Sequence, residues 1–231
     1  SPYCFDVIPL KSISNIYDLF LGFHLEYDDN GALCNVLKSE FRKSNGAVTT
    51  PEHLVTNTIY STITPEYLQS LSNEQIFNLK ILDPACGSGV FLASLYDYIA
   101  TQIETNIVEK QDILPNKYTY EKDGKKYLNL DGRKLIINQC LYGVDINQEC
   151  VEVAKLSLSL KIIDGYEPCD FNNAGLYGVQ ILHGVGVNIK CGNSLVEPDI
   201  LRQVPEITEN IEEVSATNVF DYRTAFREVF V

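Results

Sequence analysis

Between Ile13 and Tyr27, Ile13, Ile16, Tyr17, Phe20 and Phe23 recur at three- and four-residue steps, which predicts an amphipathic helix. Arg42-Lys43-Ser44-Asn45-Gly46 breaks the pattern as a loop. Thr50-Pro51-Glu52 then predicts a helix start, with the Thr50 hydroxyl as cap, proline in the first turn and Val55, Ile59 and Ile63 on the core face. Leu79 to Leu82 is a short apolar strand running into a glycine-rich turn, and helical spacing resumes from Val90 to about Val108 through Phe91, Leu95, Tyr98, Ile99 and Ile103. Residues 116–132 alternate around Asp123-Gly124 and predict a surface β-hairpin. A second strand, Cys140 to Val144, ends in Asp145 and precedes a helix marked by Val151, Ala154, Leu158 and Ile162. After a loop from Asp170 to about Val187, a third strand, Asn188 to Cys191, ends in Gly192-Asn193-Ser194. Strands alternating with helices predict an α/β fold around a mostly parallel, doubly wound sheet over residues 79–231, behind an N-terminal helical segment over 1–78.

Composition narrows the picture. With 45% apolar and 21% charged residues, the 231-residue chain can bury a real core. No run approaches the roughly 18 apolar residues that span a bilayer, and no signal-peptide pattern opens the chain, so the expectation is a cytoplasmic protein with no membrane partner. Seven cysteines without a Cys-x-x-Cys pair argue for reduced thiols rather than a zinc site or a disulfide framework, and the three histidines fit no ligand motif. Eighteen basic and 31 acidic residues give a net charge of −13, the wrong sign for a surface that wraps nucleic acid. The chain has no methionine, even at position 1, so the expectation is either a trimmed chain or methionines missing from the sequence with small gaps at their positions.

The candidate chemistry lies at the carboxyl ends of the strands, where open parallel sheets bind ligands. After the first strand, Asp83-Pro84-Ala85-Cys86-Gly87-Ser88-Gly89 offers glycines that let a ligand approach the backbone, ahead of a helix N-terminus that favours negative charge. After the second, Asp145 is placed to accept hydrogen bonds from ribose hydroxyls. After the third, the Asn193 amide can pair with an adenine edge. Each group also has a plain reading: a turn, a helix cap and a turn asparagine. Rival motifs fail on residues. The glycine spacing and the distance to Asp145 do not make a dinucleotide fingerprint, the Gly-Lys at Gly124-Lys125 lacks the following hydroxyl of a phosphate loop, and Ser88 lacks the frame of a hydrolase elbow. Cys86 has no histidine nearby in sequence to activate it.

Asp83 to Gly89 resembles motif I of the amino-methyltransferases that modify adenine at N6. Gly46-Ala47-Val48-Thr49-Thr50-Pro51 resembles their Thr-Pro signature, with Thr49 where an aromatic residue is usual; Leu141 to Asn147 resembles motif II, and Lys190 to Leu195 resembles motif III. The details are most similar to the fused restriction-modification enzymes of type IIG. Phe220 to Phe230 is similar to the segment those enzymes carry ahead of the catalytic motif. The resemblance implies a Rossmann-like methyltransferase fold and S-adenosylmethionine as cofactor. It places Thr50 on the methionine carboxylate and the Asp83, Pro84, Ala85, Cys86, Gly87, Ser88, Gly89 loop around the methionine part. Asp145 takes the ribose with Ile146 beside it, and Asn193 reads the adenine.

The family's catalytic Asn-Pro-Pro-aromatic motif does not occur in these residues and is expected beyond Val231, so no catalytic residue is assigned within the chain. Double-stranded DNA contacts are likewise expected from segments outside it. A cytosine-C5 enzyme would use a Pro-Cys nucleophile, and the Pro168-Cys169 pair sits in a polar loop with no strand end to present it. A free-standing nucleoside-binding regulatory module, and a methyltransferase of RNA or of cytosine N4, stay open. In the family fold the motif I strand pairs with later strands, so these residues alone are expected to expose an edge that invites a homodimer. They are also expected not to methylate DNA alone; tritium transfer from labelled cofactor to DNA by this 231-residue chain would contradict that.

Overall fold

Leu141-Tyr142-Gly143-Val144 carries no charged side chain, the pattern of a strand buried on both faces, and it forms the middle of a three-stranded parallel sheet. This computed structural model describes residues 23–27, 32–37, 50–112, 114–122, 124–164, 184–199 and 218–230. Its elements are β1 (Phe23–Tyr27), β2 (Leu33–Leu37), α1 (Glu52–Thr62), α2 (Pro65–Ser70), α3 (Asn73–Phe77), β3 (Ile81–Asp83), α4 (Val90–Glu109), β4 (Thr119–Lys122), β5 (Lys125–Leu128), α5 (Leu130–Cys140), β6 (Leu141–Asp145), α6 (Gln148–Ile163), β7 (Ile189–Cys191) and α7 (Tyr222–Ala225).

The sheet order is β3-β6-β7. Asp83 stands opposite Gly143, and Asp145 opposite Cys191. All three strands point the same way, so their carboxyl ends share one edge. Leu141 joins the main core with Leu92, Leu95, Ile99 and Ile103 of α4, Ile136 and Ile137 of α5, and Val151, Ala154 and Leu158 of α6. Tyr142 and Val144 face the other way, into a smaller cluster closed by Phe220 and Phe226. Burying each large apolar side chain contributes about 1.5–3 kcal/mol, so these two clusters fix the sheet between its layers.

The helices expected from periodicity are present at α1, α4 and α6, and Val55, Ile59 and Ile63 are buried as expected. Proline at the head of α1 takes the cap position itself: the Pro51 carbonyl accepts the Leu54 and Val55 N–H groups, and no side chain among the described residues caps the helix, so Thr50 is not the cap. The first sheet strand begins at Ile81 rather than Leu79, because the Leu79 N–H still donates to Ile76 O at the end of α3. The 119–128 hairpin forms with the expected antiparallel register.

Two expectations differ. The helix read from Ile13 to Tyr27 does not run through Phe23–Tyr27, which pairs antiparallel with Leu33–Leu37. Phe23-His24-Leu25-Glu26-Tyr27 alternates apolar and polar residues, a period-2 signal that overrides the single helical step at Phe23. Residues 13–22, 42–46, the Pro168-Cys169 pair and Val231 lie outside the described residues. Helix α5 was not expected at all: its start at Leu130 falls inside the span read as hairpin, and Gly132 looks like a turn signal. In the fold, Asn129 caps α5 by accepting the Gly132 N–H, and a Cβ at Gly132 would come within 2.4 Å of Tyr118 O.

A buried polar network ties α3 to the end of α4. Asn106 Nδ2 donates to Leu71 O and to Asn73 Oδ1 (both 3.1 Å), Gln102 Nε2 donates to Asn106 Oδ1 (2.8 Å), and Asn73 donates through its backbone to Asp112 Oδ2 (2.6 Å). Asn73 and Asn106 are fully buried. Replacing Asn106 with alanine strands these partners, so Asn106→Ala is expected to lower unfolding free energy by about 2 kcal/mol in denaturant titration.

Candidate functional site

Strand β3 ends at Asp83, and the chain must turn sharply to start α4. Asp83 Oδ1 accepts the Ala85 N–H (3.1 Å), and the Gly89 N–H donates to Cys86 O (2.8 Å). Gly87 at φ +52° and Gly89 at φ +88° occupy the left-handed region that side chains disfavour. A Cβ on Gly89 would stand 3.0 Å from the Ala154 Cβ, whereas one on Gly87 would meet nothing within 4 Å. Gly89 is therefore glycine for packing as well as for the turn, and the Gly87 side of the loop is open.

The turn is held to the next strand by two backbone donors. Cys86 N–H donates to Val144 O (3.0 Å), and Gly87 N–H donates to the Asp145 carboxylate at Oδ2 (2.8 Å). Asp145 Oδ1 accepts the Asn147 N–H (2.9 Å), and Asn147 caps α6 through bonds from Glu149 and Cys150 N–H. Asp145 O accepts the Gly192 N–H (2.9 Å), which brings the end of β7 alongside. There Asn193 Oδ1 accepts the Leu195 N–H (3.1 Å), fixing its amide on the loop.

The structure thus joins the 83–89 turn, Asp145 and the Asn193 loop at one sheet edge. Pro84 and Ala85 are exposed, Cys86 and Ser88 buried. Ile146 is 58% exposed beside Asp145, and its carbonyl accepts the Cys191 thiol at 3.4 Å. Thr50 is half-buried ahead of α1, and it is not brought to this edge by any hydrogen bond among the described residues. The catalytic motif expected beyond Val231 falls outside the described residues. The rest of α1 does approach: Thr58 and Thr62 face Leu82, Asp83 and Pro84 across a mostly apolar cleft of about 250 Å³. The spacing of those threonines, one helical turn apart, was the signal available for a face that sequence reasoning had not singled out.

Burial raises the Asp83 carboxyl above its ordinary value and outweighs the Ala85 N–H bond, and Asp145 raises it further. Asp83 Oδ2 is buried, with no hydrogen-bond partner among the described residues. Burial, then Asp83 and Asp145, push the Cys86 thiol up, so it stays protonated and is no nucleophile. Among the described residues, no group of three or more His, Cys, Asp or Glu side chains could hold a metal ion, and no helix is long and apolar enough to cross a membrane.

A family model described as the DNA-methyltransferase domain of MmeI matches residues 59–212, which carry all three strand ends. The chain belongs to the MmeI DNA-methyltransferase domain family. Among relatives of this domain, the type II restriction enzyme and methyltransferase RM.Eco57I of Escherichia coli is 28% identical over 230 residues, 96% of this chain and 20% of that protein. The type II restriction enzyme and methyltransferase RM.BcgI of Heyndrickxia coagulans is 27% identical over 213 residues, 91% of this chain and 28% of that protein. A Methanocaldococcus jannaschii protein is 32% identical over 152 residues. The chain spans less than a third of the length of each of the first two. An α/β fold with a parallel sheet is what a methyltransferase domain of this kind calls for, and membership implies a methyl donor.

The orphaned Asp83 oxygen has a cost that can be measured. With its folded pKa raised above the ordinary value, the carboxyl favours the fold when protonated, and that contribution is lost as pH rises through the folded pKa. Asp83→Asn keeps the acceptor for Ala85 and removes the charge. It is expected to raise Tm at pH 7, with the gain lost as pH falls below the raised folded pKa of Asp83, in thermal melts across pH.

Proposed function

We propose that this chain is the cofactor-binding part of a site-specific DNA methyltransferase of a restriction-modification system. In this reading it holds S-adenosylmethionine across the carboxyl ends of β3, β6 and β7, in a Rossmann-like arrangement, for transfer to adenine N6. The observation that carries the reading is the Gly87–Asp145 hydrogen bond, which sets an open glycine turn against a strand-end carboxylate, with the Asn193 loop drawn alongside by the Gly192 N–H on Asp145 O.

The donor set fits the ligand. Asp83 Oδ2 lacks a partner, and the ammonium of the methionine part supplies the donor that such a buried oxygen needs. Each Asp145 oxygen accepts one backbone N–H and keeps a lone pair for a ribose hydroxyl. Asn193 offers its amide to the adenine edge, and Ile146 lies exposed beside Asp145 as an apolar contact for the sugar and base. Thr50 reaches the methionine carboxylate, as the likeness to the Thr-Pro signature suggests. When bound, S-adenosylmethionine supplies an electrophilic methyl group on a sulfonium. The work of these residues is to orient that methyl toward the side where the target base enters, and the open face at Gly87 leaves room for it.

Double-stranded DNA is gripped and the base flipped by segments outside these residues, with the Asn-Pro-Pro-aromatic motif beyond Val231. The −13 net charge and the short share of the relatives' length that the chain covers both support that division of labour. The adenine target is supported by the likeness of Asp83 to Gly89 to motif I of N6-adenine enzymes. Nucleoside analysis of DNA treated with the full-length protein is expected to find N6-methyladenine; N4-methylcytosine alone would contradict that target. In calorimetry, Asp145→Ala is expected to weaken S-adenosylhomocysteine binding by about 1.5–3 kcal/mol, roughly tenfold to 150-fold. An unchanged affinity would remove Asp145 from the site.

A further inference from the structure

The segment from Asn218 to Phe226 has no part in the cofactor contacts above, yet it is laced to the loop that carries Asn193. Asn193 N–H donates to Asn218 O (2.7 Å), and Asn193 pairs with Val219 in a parallel bridge. Phe220 N–H donates to Val196 O (2.9 Å), and the Tyr222 hydroxyl donates to Ser194 O (3.1 Å). Asn218 takes φ +47°, a left-handed conformation unusual for a residue with a side chain, while its carbonyl accepts the Asn193 N–H. Phe220 lies so close to the strand end that a Cβ on Gly192 would come within 2.4 Å of its ring.

The same segment is anchored below. Phe220 and Phe226 are buried against Tyr142 and Val144 of β6, with the Tyr142 and Phe226 rings edge to face at 5.1 Å and Phe220 and Tyr222 edge to face at 4.9 Å. Such ring pairs contribute beyond their buried area and prefer defined angles, so the segment is held in one orientation. One end of it grips the sheet face, and the other grips residues 193–196.

We propose that residues 218–226 form a strap that positions the base-reading loop, with Tyr222 as a positioning residue that fixes the Asn193 amide through the Ser194 carbonyl. This rests on the cofactor reading given above and adds to it a determinant of selectivity for the base. Asn193 Oδ1 is already committed to the Leu195 N–H, so the direction of its amide is set by the course of the 193–196 backbone. That course is what Tyr222 and Phe220 hold. The ring of Tyr222 serves the aromatic cluster, and its hydroxyl serves the loop.

Tyr222→Phe keeps the ring and removes only the hydroxyl. In the full-length protein, calorimetry should compare S-adenosylhomocysteine with S-inosylhomocysteine, which differs at the edge of the base, and thermal melting should accompany both. The expected result is a loss of about three- to tenfold in S-adenosylhomocysteine affinity, the size of one hydrogen bond, with S-inosylhomocysteine affinity changed by less than about twofold and the melting temperature near that of the parent. Equal losses for both ligands, or no loss for either, would overturn the strap while leaving the cofactor site intact. Binding of neither ligand by the unaltered protein would overturn the cofactor reading and the strap with it.

Discussion

The 2.8 Å bond from the Gly87 N–H to the Asp145 carboxylate is the constraint on which the site depends. It links the ends of two neighbouring strands, and Gly87 at positive φ then turns the chain onward toward α4. With Cys86 N–H on Val144 O beside it, the turn is fixed before α4 begins. A hydrogen bond to a charged acceptor is worth about 1.5–3 kcal/mol, more than a neutral one, which suits a joint between two strand ends. The same carboxylate orders Asn147 at the head of α6, and the residue's own carbonyl takes the Gly192 N–H. One residue thereby sets the relation of all three strand ends.

That arrangement has an electrostatic consequence. Drawing the first and second strand ends together places Asp83 and Asp145 near enough for the charge of Asp145 to resist ionisation of Asp83, while burial leaves one Asp83 oxygen without a donor. A fold would be steadier without that oxygen. Its persistence beside an open turn is intelligible if a cation-bearing ligand completes it, and the ammonium of an amino-acid moiety has the right chemistry. The buried Cys86 answers to the same crowding: its thiol, under the turn, is kept neutral by burial and by the two carboxylates.

Much of this was legible in the residues. Long amphipathic periods gave α4 and α6, and the glycine turn, Asp145 and Asn193 were placed at strand ends from local pattern alone. What escaped depended on partners far away in sequence. Helix α5 hides behind Gly132, whose turn-like look is explained only by the close approach of the Tyr118 carbonyl. At the centre of the buried network, Asn73 and Asn106 lie far apart in sequence, and only the fold shows that they meet. The hydroxyl of Thr50 suggested a cap, but the cap position fell to Pro51. Phe23–Tyr27 carried both a helical and an alternating signal, and pairing with β2 decided between them. The grip of residues 218–226 on the Asn193 loop has no local sequence signature, because it couples segments more than twenty residues apart.

In the proposed reading, one ligand lies across the three strand ends with its sugar on Asp145. The most direct measurement is a crystal structure of the full-length protein with S-adenosylhomocysteine. Ribose hydroxyls are expected about 3 Å from Asp145, the amino-acid end against the Asp83 to Gly89 turn and the adenine at the Asn193 loop. Ligand bound instead in the apolar cleft between α1 and β3, with Asp145 free of it, would contradict the account.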